Sequence, residues 1–338
     1  MQTDWVAQVF ATMRDCGENV SIVYGRTGPP GREASTWFEL QHDQYDGMSG
    51  LAKLLHDEGA GVDAVPTLQG DRLTLARGLR GLGAVLPSLK IRPRSWHRFD
   101  SAQPVRFRAV NERLAWKLFS EQETAAITAA AKSAGVTVNT CLLRHLDAAV
   151  ARRLMPQSSG RLWMIPVNLR GAITRPNPAA PHMSFLGVSI EGEPSLSALQ
   201  AQITRLKQRG YHWGAWLVLN AGRLVGAKGL RDDLLKREKK HHGWTGIFSN
   251  LGAWSVPAGG HWIFGPAISR VHPVGAGCLT MNGRMALSIQ LHDAFGCDLA
   301  AVHALLDDWT HGVLQSASPA KALHVSHPTT SQQVASYG

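Results

Sequence analysis

The sequence predicts a mixed α/β protein, and three stretches carry that reading. Residues 37–42 alternate between two side-chain faces with period two, and the stretch closes in a tight loop at Asp46-Gly47. A helical pattern follows, with Met48, Leu51, Leu54 and Leu55 on one side. Ser120 and Glu123 form a capping box ahead of an Ala-rich run that Gly135 stops. Thr137 or Asn139 can then cap a second helix running through Met155. Near the C-terminus two apolar runs flank Asn282-Gly283, a favoured pair for a two-residue hairpin turn, and a helical pattern covers 298–313.

The rest of the chain fills in between these stretches. Residues 4–14 read as a helix and 19–25 as a strand, with a turn at 27–31. Residues 73–89 have a helical pattern weakened by Gly78, Gly81 and Gly83. Residues 90–98 are a basic connector, either a solvated linker or a phosphate contact. Residues 105–117 read as one long strand or a strand pair. Residues 161–171 form a buried-type strand ending in Asn168 and Arg170, and 183–190 another strand. A helix is expected over 195–209 and a core helix over 215–227. The basic stretch 228–242 is a solvated helix face, or a surface for a carrier protein or for CoA phosphates. Residues 271–281, loosened by Gly275 and Gly277, and 284–292 read as strands. The Ser-, Ala-, Pro- and Thr-rich residues 315–338 are expected to be a disordered tail.

Composition bounds the function. The chain has 338 residues, 44% of them hydrophobic, enough for a sizeable core in one large domain or two lobes. Cys16, Cys141, Cys278 and Cys297 are far apart and form no C-x-x-C pair, which fits a reducing cytoplasm. The first residues lack a basic start and an apolar signal core, and no run reaches the roughly 18 apolar residues of a membrane span. A net charge of +10 points to anionic partners: CoA phosphates, an acidic carrier protein, nucleic acid or anionic lipid. A basic proteome or plain solubility explains it equally well. No nucleic-acid recognition module is present, so no nucleic-acid partner is expected. Adjacent His241 and His242 have no third ligand at helical spacing, so no metal site is expected.

The chemistry points to residues 41–47, Gln-His-Asp-Gln-Tyr-Asp-Gly. The period-two pattern puts His42 on the face of Phe38 and Leu40, and Gln41 on the other. An imidazole thus sits at the inner end of a strand, near the Asp46 carboxylate, and Gly47 permits a bend or a close approach. A neutral imidazole can take a proton from a hydroxyl or an amine. The alternative is a histidine whose hydrogen bonds are simply satisfied at a strand end. The same H-x-x-x-D spacing at His303–Asp307 lies in a helical pattern and reads as a surface pair.

This stretch resembles the HHxxxDG motif of the CoA-dependent acyltransferase superfamily. That superfamily includes chloramphenicol acetyltransferases, peptide-synthetase condensation domains and polyketide-associated acyltransferases, enzymes that include members of natural-product biosynthesis. Gln41 stands where the first His is usual. Residues 135–139, Gly-Val-Thr-Val-Asn, are similar to a family signature at the start of the second lobe. Pro166-Val-Asn-Leu-Arg170-Gly171 is similar to the segment whose Arg pairs with the motif Asp in several members. Ser249-Asn250-Leu-Gly252 is similar to a short strand beside the catalytic His, and alone would read as a turn. Relatives often have a Gly-Asn pair where this chain has His182-Met183.

The resemblance implies two chloramphenicol-acetyltransferase-like lobes, 1–100 and 101–314. The first is shortened, because only 41 residues precede His42. It implies acyl transfer from a CoA or carrier-protein thioester to a hydroxyl or amine of a small-molecule acceptor. His42 would be the general base. Asp46 would be a support paired with Arg170, where a solvent-facing arginine is the other reading. Gly47 would shape the loop, and Ser249 and Asn250 would contact the oxyanion or the donor. It implies no permanently bound cofactor and no metal; the pantetheine thioester is a co-substrate. The missing first His and short first lobe leave a second expectation, a non-catalytic protein that binds a carrier protein or a partner enzyme.

Overall fold

The computed structural model describes residues 4–28, 34–60, 65–67, 72–89, 95–100, 102–106, 108–158, 160–174, 177–239, 243–256 and 260–318. The described chain is mixed α/β, as the sequence predicts, and its strands form two sheets.

Local chemistry sets the first elements. Asp4 caps α1 (Trp5–Asp15) by accepting from the amides of Val6 and Ala7. β1 (Ser21–Thr27) and β2 (Ala34–Gln41) pair antiparallel, with Ser21 opposite Gln41. α2 (Gly47–Asp57) starts at the motif aspartate, and α3 (Leu75–Val85) starts at Thr74. β3 (Leu114–Leu118) precedes α4 (Glu121–Ser133) and α5 (Val138–Leu154). The expected capping box forms, with the Ser120 amide donating to Glu123 at 2.8 Å and the Glu123 amide to Ser120 Oγ at 3.1 Å. Of the two candidate caps for α5, Thr137 is the one used.

The second half alternates. β4 (Gly160–Asn168), β5 (Met183–Glu191), α6 (Leu196–Gln208), α7 (Tyr211–Ala221) and α8 (Gly226–Lys239) come first. Then follow β6 (Gly246–Trp254), β7 (Trp262–Gly265), β8 (Val274–Met281), β9 (Arg284–Leu291) and α9 (Leu299–Ala317). Asn282 and Gly283 both have positive φ, 48° and 79°, as the hairpin turn requires.

The large sheet has the order β3-β9-β8-β6-β4-β5. One face carries α4, α5, α6 and α9 over a single core built on Trp163, Phe248, Leu287 and Trp309. Within that core Arg161 donates two bonds to Asp147, at 2.7 and 2.8 Å, and Trp163 Nε1 donates a third at 2.8 Å, which ties β4 to α5. The small sheet has the order β2-β1-β7. The first hundred residues supply two of its strands and residues 262–265 the third. α2 packs on the small sheet through Leu51, Leu54 and Leu55, next to Tyr24 and Trp262.

Several expectations are corrected. Among the described residues of 105–117, strand begins only at Leu114 and runs on to Leu118. Ahead of it, the Arg106 amide and Arg108 Nη2 both bond to Asp293, at 2.7 and 2.5 Å, which holds the segment away from a ladder. The core helix expected over 215–227 is instead the end of α7, a 3-10 turn and the start of α8, and its burial stops at Ala215. Residues 246–254 are strand, as the resemblance implies, where the residues alone would read as a turn. α9 runs to Ala317, past the expected start of the tail, and 319–338 lie outside the described residues, as do 90–94, His241 and His242. Trp96 and Phe99, at the end of the basic connector, pack against Phe295.

The strand β7 was not legible at all. It is four residues long, and what receives it is the pair Gly275 and Gly277 in β8. A Cβ on Gly277 would overlap the Phe264 carbonyl oxygen, and one on Gly275 would meet Ile268 and the Pro266 carbonyl. The glycines that weaken the strand pattern therefore form the bare surface on which the β7 backbone lies. Gly277→Ala is expected to lower the urea-denaturation stability by about 1–3 kcal/mol, the usual cost of overpacking. Gly160→Ala, whose Cβ would meet nothing nearer than 3.9 Å, stays within about 0.5 kcal/mol of wild type.

Candidate active site

The site lies where the large sheet opens. β4 and β6 pair in parallel only at Trp163–Gly246 and Met164–Ile247. Beyond that point the strands diverge, and Pro166, which has no N–H, sits just past the last pair. Side chains at every second position line the gap: Met164, Pro166 and Asn168 from β4, and Ile247, Ser249 and Leu251 from β6. Met183 and Phe185 of β5 continue the face. The cavity holds about 230 Å³ and is mostly apolar. α1 closes one wall with Val6, Val9, Phe10 and Met13.

His42 lies on this cavity, one residue past the end of β2. Its Nδ1 is 2.9 Å from the Tyr45 carbonyl oxygen. A carbonyl only accepts, so Nδ1 carries the proton and Nε2 keeps its lone pair. Phe10 stacks on the ring, with centroids 3.8 Å apart and planes at 18°. Burial pushes the imidazole pKa below its ordinary value of 6.5; the Tyr45 carbonyl and the carboxylates of Asp46 and Asp43 oppose that shift without cancelling it. The ring is therefore neutral at neutral pH, with one nitrogen fixed and the other basic.

Gln41 points elsewhere. Its carboxamide meets Arg14 Nη1 at 3.2 Å and Ser21 Oγ at 3.4 Å, and Arg14 also pairs with Asp43 at 2.9 Å. The two-face reading of residues 41 and 42 agrees with this geometry.

Asp46 is buried and acts as a clip. Its Oδ1 accepts from the amides of Met48 and Ser49, at 3.0 and 2.9 Å, and so caps α2. The capping box is closed by Ser49 Oγ, which accepts from the Asp46 amide at 3.0 Å. Its Oδ2 meets Arg170 Nη1 at 2.7 Å and the His182 amide at 3.1 Å. Asp46 thus holds α2 against the loop between β4 and β5. Arg170 is buried with it and is not solvent-facing. The His182 position, noted above as a departure from relatives, contributes its backbone N–H.

Gly47 has negative φ, so its role is space, not a left-handed turn. A Cβ there would come within 2.7 Å of Leu251 and 3.1 Å of Phe264. The Gly47 carbonyl accepts from Tyr24 Oη at 2.7 Å.

Ser249 and Asn250 both line the cavity. Asn250 is engaged locally: Nδ2 donates to Asn139 Oδ1 at 2.5 Å, and Oδ1 accepts from the Gly252 amide at 2.8 Å. Asn139, from the 135–139 stretch, therefore meets the 249–252 stretch across the fold. Among the described residues, no group hydrogen-bonds the Ser249 hydroxyl. Sequence reasoning missed Phe10 and His272 as cavity residues. The helical period of α1 was legible, but nothing in it says which element the helix covers. His272 sits in a Ser269 turn with no motif around it. Among the described residues, no group of three His, Cys, Asp or Glu side chains is placed to hold a metal ion.

Comparison with solved structures now bears on this geometry. The epimerization domain from the third module of tyrocidine synthetase B superposes with a TM-score of 0.51 and 12% identity, over 83% of this chain and 68% of that one. The EpoB cyclization-docking bidomain from Sorangium cellulosum gives 0.54 and 9%, over 83% and 60%. The TRI3 trichothecene 15-O-acetyltransferase from Fusarium sporotrichioides gives 0.52 and 13%, over 83% and 65%.

The fold is that of condensation domains and related acyltransferases.

This condensation-domain fold spans about two thirds of the length of those chains or somewhat less. No protein-family model matches the sequence, and a search of curated proteins returns no match. Within this fold the Asp46–Arg170 pair is the contact most open to a direct test. Asp46→Ala is expected to cost about 3–5 kcal/mol in chemical denaturation, because it leaves Arg170 buried and uncompensated. Asp46→Asn keeps an acceptor for the helix cap and loses less.

Proposed function

We propose that the protein is an acyltransferase with His42 as its general base. The observation that carries this reading is the ring itself: neutral, fixed through Nδ1, and set on a mostly apolar cavity. The donor is the thioester of an acyl-CoA or of a phosphopantetheine carrier protein. The acceptor is a hydroxyl or amine of a small molecule.

The step balances as follows. The acceptor heteroatom attacks the thioester carbonyl carbon while His42 Nε2 takes its proton. The carbonyl oxygen becomes an oxyanion, for which the Ser249 hydroxyl is the available donor and the remaining Asn250 N–H a weaker one. The C–S bond then breaks, and the departing sulfur takes the proton back from His42. An ester or amide and a free thiol result. Asp46 and Arg170 support the loop and carry no proton. Fold similarity to acyl-transferring proteins supports the reaction class; the residue roles rest on the geometry above.

Two measurements test this. Free-thiol release from a series of acyl-CoAs or acyl-carrier proteins, with hydroxyl and amine acceptors, is expected to depend on His42. His42→Ala should cut turnover by about a hundredfold or more while leaving the melting temperature close to wild type. Undiminished release in that variant would sink the mechanism. Donor binding without any release would favour a non-catalytic carrier-binding protein.

The pH profile follows from the lowered imidazole pKa. The base works only when neutral, so kcat/KM should fall in acid, through an apparent pKa below 6.5, and stay level through neutrality. An acid limb above 6.5 would contradict the burial effect.

A further inference from the structure

α3 is placed the wrong way round for a helix of a closed protein. It buries Gly78, Gly81 and Val85 and exposes leucines. Gly81 meets α7 so closely that a Cβ would overlap the backbone of Gly210 and Gly214, and Gly78 faces Leu217. At about 100° per residue, Leu75, Leu79, Leu82 and Leu86 form one narrow stripe beside that glycine face. Leu75 is 82% exposed, Leu79 60% and Leu86 59%.

A second exposed apolar group follows α7. α7 packs on α3 where Gly81 meets Gly210 and Gly214 and Gly78 faces Leu217. Past the end of α7, Leu224 projects 91% exposed with Val225 beside it. Among the described residues, every exposed large hydrophobic side chain falls in these two segments, 73–86 and 224–235. Such a concentration marks an interaction surface.

The charge on α3 has one sign: residues 72–89 contain Arg72, Arg77 and Arg80 and no acid. Arg223 precedes the exposed Leu224, and α8 carries Lys228, Arg231, Lys236, Arg237 and Lys239 against Asp232, Asp233 and Glu238, a net positive charge. A second copy would bring these cations face to face, which disfavours self-association. The leucines project from a convex helix surface, so they fit an occupant they can enter. A bilayer surface with anionic headgroups supplies both an apolar layer and the opposite charge. α7 links this surface to the cavity, because Leu219 on α7 lines it.

We infer that α3 and the 224–225 turn dock the protein on an anionic lipid surface, with the leucines in the acyl boundary and the arginines at the phosphates. The interaction is peripheral; among the described residues no helix is long and apolar enough to cross a membrane.

Flotation of the full chain with vesicles tests it. One set is phosphatidylcholine alone and the other contains about one-third phosphatidylglycerol. Wild type is expected to float with the anionic vesicles, far less with the neutral ones, and less as salt rises. The double variant Leu75→Glu/Leu79→Glu changes exposed positions, so it should keep the wild-type melting temperature. It should lose binding by about a hundredfold or more. Equal flotation of wild type and variant, or none by wild type, overturns the proposal. Two other outcomes would also overturn it: a concentration-dependent dimer abolished by the same variant, or capture of an acidic carrier protein abolished by it without any vesicle binding.

Discussion

Asp46 is bonded from two directions at once. One carboxylate oxygen closes the first turn of α2, and the other reaches Arg170 and the His182 amide across the fold. A buried carboxylate survives only if its charge is matched and its lone pairs are filled, and here both conditions are met. The position of α2, and so of the loop that carries His42, follows from this contact. The effect of the ion pair is to hold the imidazole loop in register with the strands that form the opposite wall of the cavity.

The cavity owes its existence to a failure of pairing. β4 and β6 share two registers and then part. Their alternate side chains face inward, and α1 closes the space with Phe10 stacked on His42. The apolar walls have an electrostatic consequence. They disfavour the imidazolium, which keeps Nε2 basic at neutral pH, and they strengthen any hydrogen bond to charge developing within the space. Packing and electrostatics are coupled here: the residues that bury the imidazole also set its protonation state.

Much of the fold was legible because its signals are local. The Ser120–Glu123 capping box, the Asn282-Gly283 turn and the alternation of residues 37–41 each rest on neighbours within a few residues. The elements that sequence reasoning missed rest on distant partners. β7 exists because two glycines in β8 leave room for its backbone. The segment before β3 avoids a ladder because Asp293, far along the chain, takes its polar groups. The stretch 215–227 looked like a core helix because it is apolar, yet much of it is surface. Apolarity states a preference for leaving water; it does not say into what.

The sequence by itself determined the mixed α/β class, several helix starts, the hairpin, and the candidate base and its loop. Those depend on period, capping and backbone freedom, which act over one or two turns. Only the tertiary structure decided that Arg170 and His182 meet Asp46, that Asn139 meets Asn250, and that α1 walls the cavity. It also decided that α3 turns Gly78 and Gly81 inward and Leu75, Leu79 and Leu86 outward. Helix periodicity gives a stripe of leucines but no direction for it. The direction came from backbone contact between Gly81 and Gly214, which brings the helices closer than leucine side chains would allow.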